Sequence, residues 1–145
     1  MLSILVPCYN EEKLLQKSYI EIVKSLKNLN IKNYEIIFID DGSTDNSLYL
    51  LKKIKKNNNK VKLIINKKNM GLGYNFKKGL KNSKGEYFIL IPSDNSHRSS
   101  QIIKIFKYMD KGYDLITTYY LNRKKQNFFR HLFTITYTPF LNFIY

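Results

Sequence analysis

Two patterns of hydrophobic and polar positions alternate along the 145-residue chain. Short apolar runs bounded by turn residues occur at SILVP (3–7), YEIIFID (34–40), VKLIIN (61–66), EYFILI (86–91) and YDLITTY (113–119). Each has strand length and is rich in β-branched or aromatic residues. Between them apolar residues recur at helical spacing: Leu14, Leu15, Ile22, Val23 and Leu26, then Leu48, Leu51 and Ile54, then Phe76 and Leu80, then Ile102, Ile103 and Phe106. Near-continuous apolar strands separated by helix-sized connections predict an α/β fold, a mostly parallel sheet with flanking helices. Asn10 is placed to cap a helix with Glu11 and Glu12 in its first turn, and Ser43 or Thr44 to cap the next ahead of Asp45.

In open α/β sheets the ligand crevice lies beyond the carboxyl ends of the strands, so the loops PCYNEE, DDGSTD and PSDNSH are expected to converge there. After about residue 122 the pattern changes, which predicts an α/β domain over 1–122 and a separate segment over 123–145. That segment is basic and then aromatic, and its final fourteen residues carry no charge. Such a stretch is too short to span a bilayer; it suits a core helix, a membrane-interface segment, or a piece awaiting its packing partner. The chain therefore reads as truncated at its C-terminal side, or as half of a homo-oligomer or membrane assembly formed through the aromatic segment.

Composition changes this picture little. A formal charge of +14 raises nucleic-acid binding, but only Arg98, Arg123 and Arg130 are arginines, and the lysines accompany many Asn, Ile and Tyr. Nucleic acid is not the expected partner, whereas an anionic membrane surface or a phosphorylated substrate is compatible with the charge. The single cysteine, Cys8, lies in an apolar run and reads as a small buried side chain in a reducing compartment. The N-terminus shows neither a basic leader nor a cleavage site, so the expected location is cytoplasmic.

The three strand-end loops carry the candidate chemistry. VPCYNEE offers Tyr9 as a flat surface and Glu11 as an acceptor, both suited to a nucleobase and ribose. IDDGSTD supplies Asp40 and Asp41 around Gly42, and PSDNSH supplies Asp94. The run GLGYNFKKG lacks the spacing of either a dinucleotide fingerprint or a P-loop, so Gly71 and Gly73 are read as close-packing and helix-start positions.

Taken in order, SILVPCYNEE, EIIFIDDGSTDNS and NMGLGYNFKKGLKNSKGEYFILIPSDNSH resemble the successive blocks of the family 2 glycosyltransferases of GT-A fold, a Rossmann-like nucleotide-sugar-binding domain. The likeness is greatest to the dolichyl-phosphate and polyprenyl-phosphate sugar synthases. It implies inverting transfer of a sugar from a nucleoside diphosphate sugar to an acceptor. It also implies that Pro7, Tyr9, Glu11, Ile39, Asp41 and Ser93 frame the donor, and that Asp94 is the catalytic carboxylate holding Mg²⁺ or Mn²⁺ on the diphosphate. Where the family carries Asp-x-Asp, this chain has Pro92-Ser93-Asp94, leaving Asn95, Ser96 or His97 to complete the metal's ligands.

No block after His97 resembles the family's general-base segment, and Asp110 and Asp114 are the only later acids. A polyprenyl phosphate acceptor is already ionised and needs no strong base, which favours a lipid-linked acceptor, Arg123 and Arg130 as its phosphate contacts, and a peripheral position at the inner face of the membrane. A truncated or degenerate module that binds nucleotide sugar without turnover is the competing reading.

Overall fold

The computed structural model describes residues 1–116. Residues Met1–Tyr113 form one compact unit. Four strands are described, β1 (Leu2–Cys8), β2 (Tyr34–Asp40), β3 (Val61–Ile65) and β4 (Tyr87–Leu90), within one residue of the apolar runs at either end. They alternate with α1 (Leu15–Asn28), α2 (Ser47–Asn57), α3 (Leu72–Asn82) and α4 (Ser99–Phe106), and a 3₁₀ turn, Met109–Lys111, follows. All pairs are parallel in the order β3-β2-β1-β4, with Leu5 of β1 beside Ile37 of β2 and Leu90 of β4. Each strand is followed by a helix, as parallel neighbours require.

Strand periodicity divides the core into two layers. Leu2, Ile4, Val6 and Cys8 of β1, with Ile36 and Phe38 of β2, pack under Leu15, Ile22 and Leu26 of α1, Leu51 and Ile54 of α2, and Ile102 and Phe106 of α4. The opposite face is smaller: Leu5, Ile37 and Ile39 with the half-buried Ile64, Phe88 and Leu90. Only α3 among the described helices covers it. A Cβ on Gly79 would fall 2.6 Å from Leu5 Cδ1, so the missing side chain is what lets α3 lie close to β1. Phe76 closes the flank edge-on to Phe88, with ring centroids 5.4 Å apart.

Three local expectations are corrected. Over 113–116 no strand forms, because Gly112 at φ 75 turns the chain after the 3₁₀ turn and Tyr113 and Leu115 face solvent at 58% and 79% exposure. Residues 117–119 of that expected strand, the boundary at 122/123, the aromatic segment, Arg123 and Arg130 lie outside the described residues. Asn10, Ser43 and Thr44 do not cap helices, since α1 starts at Leu15 and α2 at Ser47. Their side chains bond across to one another's loops instead. Gly71, at φ 83, does precede the first residue of α3, but a Cβ on Gly73 would meet nothing within 4 Å, so Gly73 is no packing position.

Gly42 makes the turn after β2 with φ 74, and a Cβ there would lie 2.7 Å from the backbone of Lys68. Positive φ and backbone collision act together, so Gly42→Ala is expected to cost about 1–3 kcal/mol in urea unfolding. Gly73→Ala, in open space on a helix, should be neutral or slightly stabilising in the same measurement.

Candidate functional site

At the carboxyl edge of the sheet, a cavity of about 260 Å³ opens between the strand-end loops. Pro7, Cys8, Tyr9 and Glu11 line it from β1, Asp41 from β2, and Pro92, Ser93 and Asp94 from β4. A fourth wall comes from the β3–α3 connection through Asn69, Gly71, Leu72 and Asn75. Residues up to 87 positions apart in the sequence, Pro7 and Asp94, thus meet because parallel strands deliver their ends to one edge.

The loops after β1 and β2 are bonded to each other as well as to their own helices, where Asp45 Oδ1 accepts from the N–H of Ser47 at 2.9 Å and the carbonyl of Glu11 from the N–H of Leu15 at 2.9 Å. The backbone N–H groups of Asn10, Glu11 and Glu12 donate to Ser43 Oγ (3.1 Å), Ser47 Oγ (2.8 Å) and Asp45 Oδ2 (3.1 Å). In return the N–H of Thr44 donates to Asn10 Oδ1 (2.8 Å) and that of Asn46 to Glu12 Oε2 (3.0 Å). Asn10, at φ 55, adopts the left-handed conformation that aims its amide across the gap. Glu12 and Asp45 therefore rivet the loops, while Glu11 is left facing the cavity. Burial first, then the nearby charges of Asp94 and Asp45, raise the Glu11 carboxyl above its ordinary range.

Asp41 is buried, and its carboxylate accepts from Asn66 Nδ2 (2.7 Å), the N–H of Met70 (2.9 Å) and the N–H of Gly71 (3.0 Å). Burial works to raise its pKa, but the donors from Asn66, Met70, Asn75 and Gly71 together prevail and hold it below the usual carboxylate value of 3.8. Asp41 thereby shapes the loop that leads into α3 while still bordering the cavity. Its neighbour Asp40 is a different case: it is 1% exposed, and its Oδ1 has no partner among the described residues.

On the β4 side, Ser93 Oγ donates to the carbonyl of Pro7 at 2.8 Å, fastening the two strand ends together. Asp94 follows, exposed, with Oδ1 accepting from the N–H of Ser96 at 2.9 Å and no hydrogen bond on Oδ2 among the described residues. Asn95 takes φ 55, and Ser96 Oγ lies 2.9 Å from His97 Nδ1. Asn95, Ser96 and His97 do not line the cavity. Ile39 does not line it either, because its side chain is wholly buried between the sheet and α3. Cys8 does line it, but burial pushes its thiol up to about 11, past the lowering by Ser47 and Ser93, so it is a neutral wall.

Among the described residues no three His, Cys, Asp or Glu side chains gather to hold a metal ion. The donor set does suit a hard cation shared with a phosphorylated ligand. Asp94 presents an unbonded carboxylate oxygen, Glu11 lies within its field, and Mg²⁺ typically takes one or two carboxylates plus substrate phosphates.

Comparison with known proteins agrees with the architecture. The family model described as glycosyl transferase family 2 matches residues 3–144. The chain belongs to glycosyl transferase family 2. An uncharacterized glycosyltransferase of Haemophilus influenzae is 36% identical over 112 residues, 77% of this chain and 33% of that protein. The undecaprenyl-phosphate 4-deoxy-4-formamido-L-arabinose transferase of Proteus mirabilis is 31% identical over 124 residues, 84% of this chain and 37% of its own length. S. aureus TarS 1-349, solved in complex with UDP-GlcNAc, superposes with a TM-score of 0.59 at 26% identity, covering 76% of this chain and 31% of that TarS 1-349 chain. The chain thus spans about a third of the length of these relatives. It is a GT-A-type parallel α/β unit, short relative to them.

The fourth wall was absent from the sequence reading. Its signal was the polar pair Asn66 and Asn75 at apolar-strand and helix-face positions, where burial needs mutual hydrogen bonds. Because the folded-state pKa of Asp41 is depressed, its stabilisation is complete above the unfolded value of 3.8 and disappears as pH falls through the folded one. Asp41→Asn is therefore expected to lower unfolding stability at pH 7 in urea titrations. The gap to the unaltered protein should close progressively below pH 3.8.

Proposed function

We propose that this chain is the donor-binding part of an inverting glycosyltransferase that moves a sugar from a nucleoside diphosphate sugar to a polyprenyl phosphate. One observation carries the reading: Pro7, Tyr9, Glu11, Asp41, Ser93 and Asp94, drawn from three strand ends, border a single cavity. Tyr9, 44% exposed, offers a face for the base, Glu11 an acceptor for ribose hydroxyls, and Asp94 an oxygen for a divalent cation on the diphosphate. Bound there, Mg²⁺ or Mn²⁺ stabilises the charge that grows on the departing diphosphate. Ser93 positions Asp94 by tying β4 to β1, and the Glu12 and Asp45 bonds keep Glu11 in place.

The acceptor class rests on the name of the Proteus mirabilis relative and on the chain's acids. An ionised lipid phosphate attacks without a general base, and basic side chains suffice to receive it; Arg123 and Arg130 are the candidates. Among the described residues no helix is long and apolar enough to cross a membrane. A peripheral position at the inner membrane face brings donor and lipid acceptor together, with the aromatic segment as the contact to membrane or partner. The alternative, a binding module without turnover, is favoured by Pro92 standing where the family carries an acid.

A thermal-shift panel of UDP-, GDP- and CMP-sugars with and without Mn²⁺ tests the donor site, since a ligand at about 100 times its Kd adds roughly 2.7 kcal/mol to the native state. One nucleotide is expected to raise Tm in a Mn²⁺-dependent way, and Asp94→Asn should abolish the metal dependence. No shift with any sugar nucleotide on folded protein would refute the donor site. For the acceptor, Arg123→Glu with Arg130→Glu is expected to reduce nucleoside diphosphate release in the presence of polyprenyl phosphate while donor binding persists. Equal loss of both would count against the acceptor role.

A further inference from the structure

Two serines lie on the buried side of α1, Ser18 at 3% exposure and Ser25 at 0%, where packing against the sheet calls for apolar side chains. With Glu21 they form a polar stripe along one flank of the helix, at spacings of three and four. The stripe meets the segment that leaves β4. Ser18 Oγ donates to the carbonyl of Pro92 at 3.2 Å, and Glu21 Oε2 accepts from the N–H of Ser99 at 2.6 Å. Ser25 Oγ turns back to the carbonyl of Glu21 at 2.7 Å, and its small size admits the carbonyl of Ser99 at 3.3 Å. Ser99 opens α4, so its N–H is one that the helix cannot satisfy by itself. The residue before it is Arg98, whose side chain has no acceptor, and α1 supplies the cap instead. Hydrogen bonding from Ser99 holds the Glu21 carboxyl below its ordinary range.

Between these two anchors lies Asp94, which borders the cavity. From Asp94 to Arg98 the described hydrogen bonds are local, from the N–H of Ser96 to Asp94, between Ser96 and His97, and from the N–H of Arg98 to Gln101. The loop's place against the rest of the molecule is therefore set at its ends. The same helix holds the other acid at the opening. At the start of α1 the N–H groups of Leu14 and Leu15 donate to the carbonyl of Glu11 at 3.0 and 2.9 Å. Glu11 is thus tied to the first turn of α1, and the Asp94 loop to the flank of its next two turns. We propose that Ser18 and Glu21 are positioning residues for the divalent cation: by clamping Pro92 and Ser99 to α1 they hold Asp94 in register with Glu11. Neither side chain touches the cation or the donor. This role rests on the donor-site reading above.

The test reads the loop and the cation separately. Hydrogen exchange of the full chain should show the amides of residues 94–99 exchanging about fivefold faster or more in Glu21→Ala, with the sheet unchanged, as loss of a helix cap requires. Calorimetric titration with the tightest binder among UDP, dTDP, GDP, CDP and ADP, in excess Mn²⁺ and again in EDTA, gives the affinity gained from the metal as a ratio. Glu21→Ala is expected to lower that ratio about fivefold or more and to leave affinity in EDTA within about twofold. Glu21→Gln, which still accepts from Ser99, should keep the ratio within about twofold. Ser18→Ala should lower it in the same direction as Glu21→Ala, and decides the matter should circular dichroism show Glu21→Ala unfolded. An unchanged ratio in folded Glu21→Ala, equal loss with and without metal, or a Glu21→Gln loss as large as that of Glu21→Ala overturns the clamp alone. Failure of every nucleotide to bind the unaltered protein overturns the donor site and this inference with it.

Discussion

A carboxylate nearly withdrawn from water has to be surrounded by donors, and Asp41 obtains them from two separate places beyond its own strand: the buried amide of Asn66 and the backbone of Met70 and Gly71. This one requirement ties the end of β2 to the loop before α3 and sets where α3 begins. The same demand explains Gly42, whose lack of a side chain lets the turn after β2 lie against Lys68. Unpaired, a carboxylate in this position would be costly, so the surrounding loop cannot drift without exposing it. The cavity wall is rigid for electrostatic reasons more than for hydrophobic ones.

Charge is distributed to the same end. Of the chain's eleven acids, Glu11, Glu12, Asp40, Asp41, Asp45 and Asp94 all sit at the strand ends or on the loops that follow them, in a protein whose formal charge is +14. Two of these carboxylates, Glu12 and Asp45, are consumed in joining loops; Asp41 is consumed largely in shaping one; Glu11 and Asp94 face the opening. Their mutual field, read in the raised Glu11, is what a bound cation would relieve.

Much of this was legible in the sequence. Strand positions followed from runs of β-branched and aromatic residues, and the parallel order made convergence of Pro7, Tyr9, Glu11, Asp41, Ser93 and Asp94 predictable. Cap residues misled for a physical reason. Asn10, Ser43 and Thr44 have the chemistry to close their own helices, but a tertiary partner about 34 residues away competes for the same donors and acceptors and wins. Ile39 lay on the correct strand but with its side chain on the face covered by α3, a distinction that strand periodicity shows only once the cavity's side is known. The wall built by Asn66, Asn75 and Lys78 was hidden because its residues look like ordinary surface polars until burial brings them together.

The cross-bonded loops after β1 and β2 have a consequence for how the molecule forms. Every one of those bonds spans 33–36 residues, just beyond the separation of Leu2 from Tyr34 that pairs β1 with β2, so none can be made by a local segment in advance of the sheet. Closing that long-range contact sets both the sheet centre and the cavity rim in one event, with its entropic cost met once. The binding end is thus acquired along with the core during folding, and its order in the native state is inherited from the most central strand pair rather than from the loops themselves.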